Sequence, residues 1–172
     1  MKSAVYFDTV PSPLGLLVLA TDGVALTGAW FEGQRYPPKM DAGWTRRPDA
    51  PVLRQAAVEL VEYFAGRRTR FELVLAPSGT PFQRAVWEAI AAVPYGETIA
   101  YRELAARVGR PACIRAAGTA TGRNPLSIVI PCHRIVGADG ALTGYAGGLP
   151  RKRALLALEC AGTKPVSIRR AA

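Results

Sequence analysis

Histidine and cysteine are scarce in this sequence, which has one of the first and three of the second in 172 residues. Neither occurs before Cys113, and a four-ligand zinc site would have to use all four of them. An odd number of cysteines without a secretion signal argues against a disulfide framework. The stretch from Met1 to Asp8 has no long apolar segment and meets an acid early, so no signal peptide is expected. No apolar run approaches the ~20 residues that a membrane span needs, and the expected compartment is a reducing cytoplasm without membrane contact. Internal repeats are lacking, and acids are scarce in the second half. Residues 1–76 hold nine Lys/Arg against eight Asp/Glu (+1), and residues 77–172 hold thirteen against five (+8), which together make the net +9. A field so concentrated attracts polyanions, nucleic acid being the commonest; the other reading is that basic surface merely aids solubility. With 49% hydrophobic and 20% charged residues, the chain is expected to fold as one domain or two small ones.

What is present falls into two parts. Residues 4–10, 14–20 and 24–31 are apolar and β-prone, with Asp22-Gly23 as a hairpin signal between the last two. Residues 32–50, rich in Gly, Pro and Arg, read as an irregular connection. Helical spacing of Val52, Ala56, Leu60 and Phe64 predicts a helix over 51–65 stopped by Gly66, and 71–75 is a further short strand. Residues 1–76 are therefore expected to form a small antiparallel sheet with a helix on it, followed by a linker at 77–79. From Thr80 to the end the pattern turns mostly helical. Thr80, Pro81 and Gln83 make a helix start for 82–92, with Phe82, Val86, Ala89 and Ile90 on one face. Helices over 100–108 and 112–121, with Ala105 and Gly109 at the turn, match a helix-turn-helix. The second of these is bare of long side chains except Arg115, which suits close approach to DNA without extensive base reading. Residues 142–148 form a glycine-rich loop, and a last helix runs over 150–161 with Gly162 as its cap. Its first turns carry Arg151, Lys152 and Arg153 against the helix dipole, so these are expected to serve an external anion.

Cys132 and His133 sit side by side between the β-branched runs Ile128-Val129-Ile130 and Ile135-Val136, which read as buried strand or core. A thiol becomes a nucleophile on losing its proton, and a neighbouring base or cation assists that loss. The plainer reading is a small packed residue beside a satisfied imidazole. A Cys–His pair needs a third group to orient the ring. Among Glu88, Glu97, Glu103, Asp139 and Glu159, the best placed is Glu159, a lone acid on an apolar helix; a solvent-facing helix residue is the other reading. Cys113 and Cys160 read as structural. The tail 163–172, with Lys164, Arg169 and Arg170, is either disordered or adds phosphate contacts. A thiol hydrolase would use the same triad but leaves the +8 half unexplained, whereas a non-catalytic DNA reader explains that half and not the pair.

Pro131-Cys132-His133-Arg134, preceded by Asn124-Pro125 and followed by Gly144-Tyr145 and a Gly-Gly pair, resembles the O6-alkylguanine-DNA alkyltransferases, or methylated-DNA–protein-cysteine methyltransferases. The resemblance spans most of the chain and is strongest over 80–162. It implies an RNase H-like N-terminal sheet-and-helix unit (1–76) and a winged-helix-like DNA-binding unit (80–172) with the helix-turn-helix. It implies irreversible, single-turnover repair in which Cys132 takes the alkyl group from O6-alkylguanine, and from O4-alkylthymine, in double-stranded DNA. His133 would draw the thiol proton through a water, Glu159 would complete the relay, and Asn124 would support the turn carrying them. Tyr101 and Arg115 match the family's base-flipping pair, with Ala116, Thr121 and Arg123 in the DNA contact. Tyr101, Ile135, Tyr145 and Ala146 would form the guanine pocket. Ala146 stands where some relatives carry serine, which puts substrate range in question. No zinc, no cofactor, no additional metal-binding regulatory domain and no obligate protein partner are implied; a monomer is expected. Lesion-binding relatives without catalysis lack the acceptor cysteine, and this chain has it.

Overall fold

The computed structural model describes residues 4–163. Four strands, β1 (Val5–Val10), β2 (Leu17–Thr21), β3 (Leu26–Phe31) and β4 (Trp44–Arg46), form a sheet in the order β3-β2-β1-β4. The hairpin pairs are antiparallel, but β1 and β4 run parallel, so the sheet is mixed rather than purely antiparallel. β4 lies inside the stretch expected to be irregular. Three residues are too few to show a period, and β4 is held by contacts remote in sequence: Trp44 packs on Phe7 with ring centroids 6.0 Å apart, and Arg46 pairs with Asp8 at 2.9 Å. Conversely, the strand expected at 71–75 shrinks to one bridge, Leu26 to Leu75, after which the chain leaves β3.

Helix α1 (Pro51–Phe64) lies against this sheet and opens with proline at its first turn. Its inward stripe is Leu53, Ala56, Leu60 and Tyr63, so the buried face is rotated from the expected one; Val52 and Phe64 flank it half-buried. Helix α2 (Pro81–Ala91) starts at a reciprocal capping box between Thr80 and Gln83 and buries Val86, Trp87 and Ile90. The Trp87 indole N–H donates to the Ala120 carbonyl at 2.8 Å, tying α2 to α4 (Ile114–Gly122), which also packs on α3 (Tyr101–Arg107). Two short strands, β5 (Ile99–Ala100) and β6 (Ile135–Val136), pair in parallel, and α5 (Leu149–Thr163) closes the described chain. Gly162 lies within α5 rather than capping it. A Cβ there would sit 2.8 Å from the Tyr95 hydroxyl, so close approach explains this glycine.

One apolar cluster runs through both halves, from Leu19 and Leu60 to Ile90, Leu126 and Leu155. The halves also share backbone bonds: Ala29 N–H donates to the Pro125 carbonyl and Ser127 N–H to the Ala29 carbonyl, each at 2.8 Å. β3 therefore braces the segment that leads to Cys132. No helix among the described residues is long and apolar enough to cross a membrane. Beyond Thr163, the tail for which disorder or phosphate contact was open lies outside the described residues.

Candidate functional site

Asn124 follows α4 and organises the next eight residues. Its side-chain N–H groups donate to the Ile130 carbonyl at 2.8 Å and to Cys132 Sγ at 3.1 Å, while its Oδ1 accepts the Leu126 N–H at 3.0 Å. These bonds fold 124–130 into a tight turn, so of the two readings, strand or core, the run 128–130 is buried core and not strand. Ile128 pays for it with a left-handed backbone (φ 72°), which costs a β-branched residue roughly 1–3 kcal/mol. The turn delivers Cys132–Arg134 as one 3-10 turn, all three residues buried.

Cys132 is 4% exposed. Burial pushes its thiol up, against the downward pull of the Asn124 bond and the nearby Lys152 cation, so the resting group is protonated. For this thiol to act as a nucleophile a base would have to take its proton, since the adjacent residues do not hold a standing thiolate. His133 is fully buried, and burial lowers its affinity for a second proton despite the Glu159 carboxylate 2.8 Å from Nε2. An ionised carboxylate can only accept, so the Nε2 position carries the proton and Nδ1 keeps its lone pair. Nδ1 is buried with no protein hydrogen-bond partner among the described residues.

Glu159 is buried, not a solvent-facing helix residue, and accepts five hydrogen bonds. They come from His133, from Nε and Nη2 of Arg134 (2.9 and 3.0 Å), from the Tyr63 hydroxyl (2.7 Å) and from the Gly96 N–H (3.3 Å). Burial alone would raise this carboxyl; the bonds from His133, Arg134 and Tyr63 overcome it and hold the group at about 2. A depressed carboxylate contributes stability that is present above its unfolded value near 4.5 and is lost as pH falls through about 2. The urea midpoint is therefore expected to fall as pH is lowered across that window. Glu159→Gln should flatten this slope, and an unchanged slope in the variant would assign it to other acids. Arg134 carried no expected role although it stands in the motif, and Tyr63, 96 residues from Glu159, carried no signal at all.

The basic residues opening α5 are corrected by the structure. Lys152 is completely buried, and its ammonium donates to the carbonyls of Ile135 (2.6 Å), Thr143 (2.8 Å) and Gly144 (3.3 Å); burial pulls it down to about 8. Arg151 donates to the carbonyls of Leu14, Glu32 and Gly147. Both clamp the glycine-rich loop and its neighbours instead of serving an external anion, while Arg153 stays exposed. Internal carbonyls satisfy cations that the helix dipole disfavours.

A cavity of about 460 Å³ opens onto Cys132. Tyr101, Gly144, Tyr145 and Ala146 line one part of it, and Arg115, Gly118, Thr119, Thr121 and Gly122 of α4 another. Close packing requires glycine at 147, where a Cβ would stand 2.7 Å from the Tyr145 ring and 3.2 Å from Phe31. Ile135 does not line the cavity: it is fully buried and its carbonyl is taken by Lys152. Ala116 is exposed on α4 outside the lining. Arg123 also lies outside it, with its guanidinium 3.8 Å from the centroid of Tyr36. Arg35 and Tyr36 do line the cavity, and they come from the stretch read as an irregular connection. Their one sequence signal is an arginine beside an aromatic residue. Cys113 is half-buried at the start of α4, and Cys160 is exposed on α5 rather than packed inside. Among the described residues no three of His, Cys, Asp and Glu come together in a way that could hold a metal ion.

Two family models match the chain: the ribonuclease-like domain of 6-O-methylguanine DNA methyltransferase over residues 5–77, and the DNA binding domain of 6-O-methylguanine DNA methyltransferase over residues 81–161. A methylated-DNA–protein-cysteine methyltransferase of Mycolicibacterium paratuberculosis is 48% identical over 155 residues, 90% of this chain and 92% of the relative. One from Methanosarcina barkeri is 44% identical, over 90% of this chain and 97% of the relative. The crystal structure of Mycobacterium tuberculosis OGT in complex with DNA is 44% identical with a TM-score of 0.85, covering 91% of this chain and 94% of that one.

Proposed function

The chain belongs to the 6-O-methylguanine DNA methyltransferase family, and from that premise we propose that it repairs double-stranded DNA by moving the alkyl group of O6-alkylguanine irreversibly onto Cys132. The observation that carries this reading is a buried cysteine opening onto a cavity and followed by a neutral histidine whose far nitrogen is fixed by a buried carboxylate. The target carbon lies among stacked neighbours in the duplex, so the nucleotide must be rotated out at a cost of a few kcal/mol, about what unstacking one base requires. Arg115, on the otherwise small-residue face of α4, fills the vacated place in the stack, and Tyr101 crowds the target phosphate. Ala116, Thr121 and Arg123 belong to the same DNA contact, and Tyr101, Tyr145 and Ala146 to the wall around the guanine, with Ala146 offering no side-chain donor to O6.

Once the base is seated, the thiol proton passes by way of a water to Nδ1 of His133, and the forming imidazolium is stabilised by the Glu159 carboxylate. Asn124 holds the sulfur in line. Sγ attacks the alkyl carbon, the carbon–oxygen bond breaks, and its electron pair goes to the guanine, which takes up one proton from water. The imidazolium gives its own proton back to water, so that the proton lost by the thiol equals the one gained by the base. The product is a thioether that water does not reverse, so each molecule acts once. The same chemistry extends to O4-alkylthymine. We also read residues 1–76 and 80–172 as two units joined at 77–79, acting as a cytoplasmic monomer with no obligate partner; the division of the family matches at 77 and 81 supports the boundary.

The test is mass spectrometry after incubation with excess duplex containing O6-methylguanine. One methyl on the Cys132 peptide and a burst that stops at one equivalent per protein are expected. Continuing turnover would favour a hydrolase, and unchanged mass with retained DNA binding would favour a non-catalytic reader.

A further inference from the structure

Arg35 and Tyr36 belong to the N-terminal half, yet they line the cavity that opens onto Cys132. Their position is built. The Arg35 N–H donates to the Ala146 carbonyl at 2.9 Å, which ties the turn to the loop carrying Tyr145. The preceding residue, Gln34, is buried; its Oε1 accepts the Phe31 N–H at 2.9 Å and the Ser127 hydroxyl at 3.2 Å. Tyr36 itself adopts a left-handed backbone (φ 59°), a conformation that a bulky residue keeps only where its surroundings impose it. That conformation brings its ring within 3.8 Å of the Arg123 guanidinium and 5.8 Å of the Arg35 guanidinium.

Two cations thus share one exposed ring, and a third, Arg115, lines the same cavity. No acid is among the lining residues, and no ion pair among the described residues engages any of the three. Like charges gathered without a counter-charge attract an anion that bridges them. At the mouth of a site for a nucleotide still attached to its strand, the available anion is the backbone phosphate.

We propose that the Arg35–Tyr36 turn is a phosphate-holding rim of the DNA site: Arg35 neutralises a backbone phosphate beside the nucleotide in the cavity, with Tyr36 positioning both Arg35 and Arg123. The assignment rests on the reading that this cavity receives a nucleotide of duplex DNA. It gives the N-terminal half a direct share in binding, where the sequence placed the excess positive charge in the other half.

The test measures affinity for duplex DNA containing O6-methylguanine across a salt series. All proteins in the series carry Cys132→Ala so that no transfer intervenes. One phosphate contact contributes about 0.9 to the slope of log K against log salt. Arg35→Ala is therefore expected to lower the slope by about 0.9 and weaken binding roughly five- to tenfold near 0.1 M salt. The backbone bond to Ala146 survives that substitution. Arg35→Lys should restore the slope, and Tyr36→Phe should bind as the parent does, whereas Tyr36→Ala should weaken binding. Weaker binding by Arg35→Ala at an unchanged slope, or no change in either, overturns the proposal. Methyl transfer by the unaltered protein is read separately, so failure of the repair reading is distinguishable from failure of the rim.

Discussion

Serine at position 132 is expected to abolish methyl transfer while leaving DNA binding in place. The substitution keeps the size and the Asn124 bond nearly unchanged, since Nδ2 of Asn124 can donate to a hydroxyl as it does to Sγ at 3.1 Å. What it removes is acidity and nucleophilicity. Burial already raises the thiol above its ordinary value, and an alcohol in the same place starts several orders of magnitude less acidic. The proton transfer to a neutral imidazole, already uphill from the thiol, becomes steeper still from an alcohol. The transfer rate should fall at least about a thousandfold, as for loss of an activated nucleophile. Mass spectrometry should find no methyl on any peptide, and a mobility-shift assay should find the damaged duplex still bound. The two other cysteines provide the counter-test. Neither Cys113 nor Cys160 lines the cavity, so a methyl on either in the Cys132→Ser protein would move the acceptor and defeat the assignment.

The second large effect is on stability. Leucine at position 159 should cost about 3–5 kcal/mol, the range for removing one partner of a buried ion pair. Arg134 would be left with its side chain 7% exposed and no carboxylate. The Tyr63 hydroxyl and the His133 Nε2 proton would lose their acceptor as well. Against total stabilities of about 5–15 kcal/mol, such a loss approaches unfolding. Urea denaturation checks it, and adding Arg134→Met should recover part of the loss by removing the stranded charge. A loss below about 1 kcal/mol would mean that the carboxylate is not what balances Arg134. Where the variant remains folded, transfer should slow by about a hundredfold or more, because the imidazole loses its fixed tautomer.

How far the sequence could be read follows from the range of each interaction. The Thr80–Gln83 capping box is complete within four residues, and the helix begins where those residues say. The α3–α4 pair and the hairpin strands are equally local. The site is legible only as far as its motif: Cys132, His133 and Asn124 lie within ten residues of one another, and Glu159 stood out as a lone acid on an apolar helix. At Ile128 the sequence left strand and core open, because β-branched residues serve both; only the carbonyls claimed by Asn124 turn the buried residue into a left-handed bend. Lys152 misled because charge usually means surface; three carbonyls from two separate segments make its burial possible. Tyr63, Arg35 and Tyr36 reach the site from the other half of the molecule, and no spacing along the chain encodes that meeting.

The five bonds on Glu159 also bear on inheritance. Three side chains from two separate elements, α1 and the 3-10 turn, converge with the Gly96 N–H on the buried Glu159 of α5, so the benefit of each depends on the presence of the rest. Exchanging Tyr63, His133, Arg134 or Glu159 singly strands the others, whereas a second exchange after the first costs little more. Such epistasis makes the cluster drift as a block or not at all. The rim at Arg35 and Tyr36 carries no such interlock, because its side chains meet at an exposed ring and exchanging one strands no buried group.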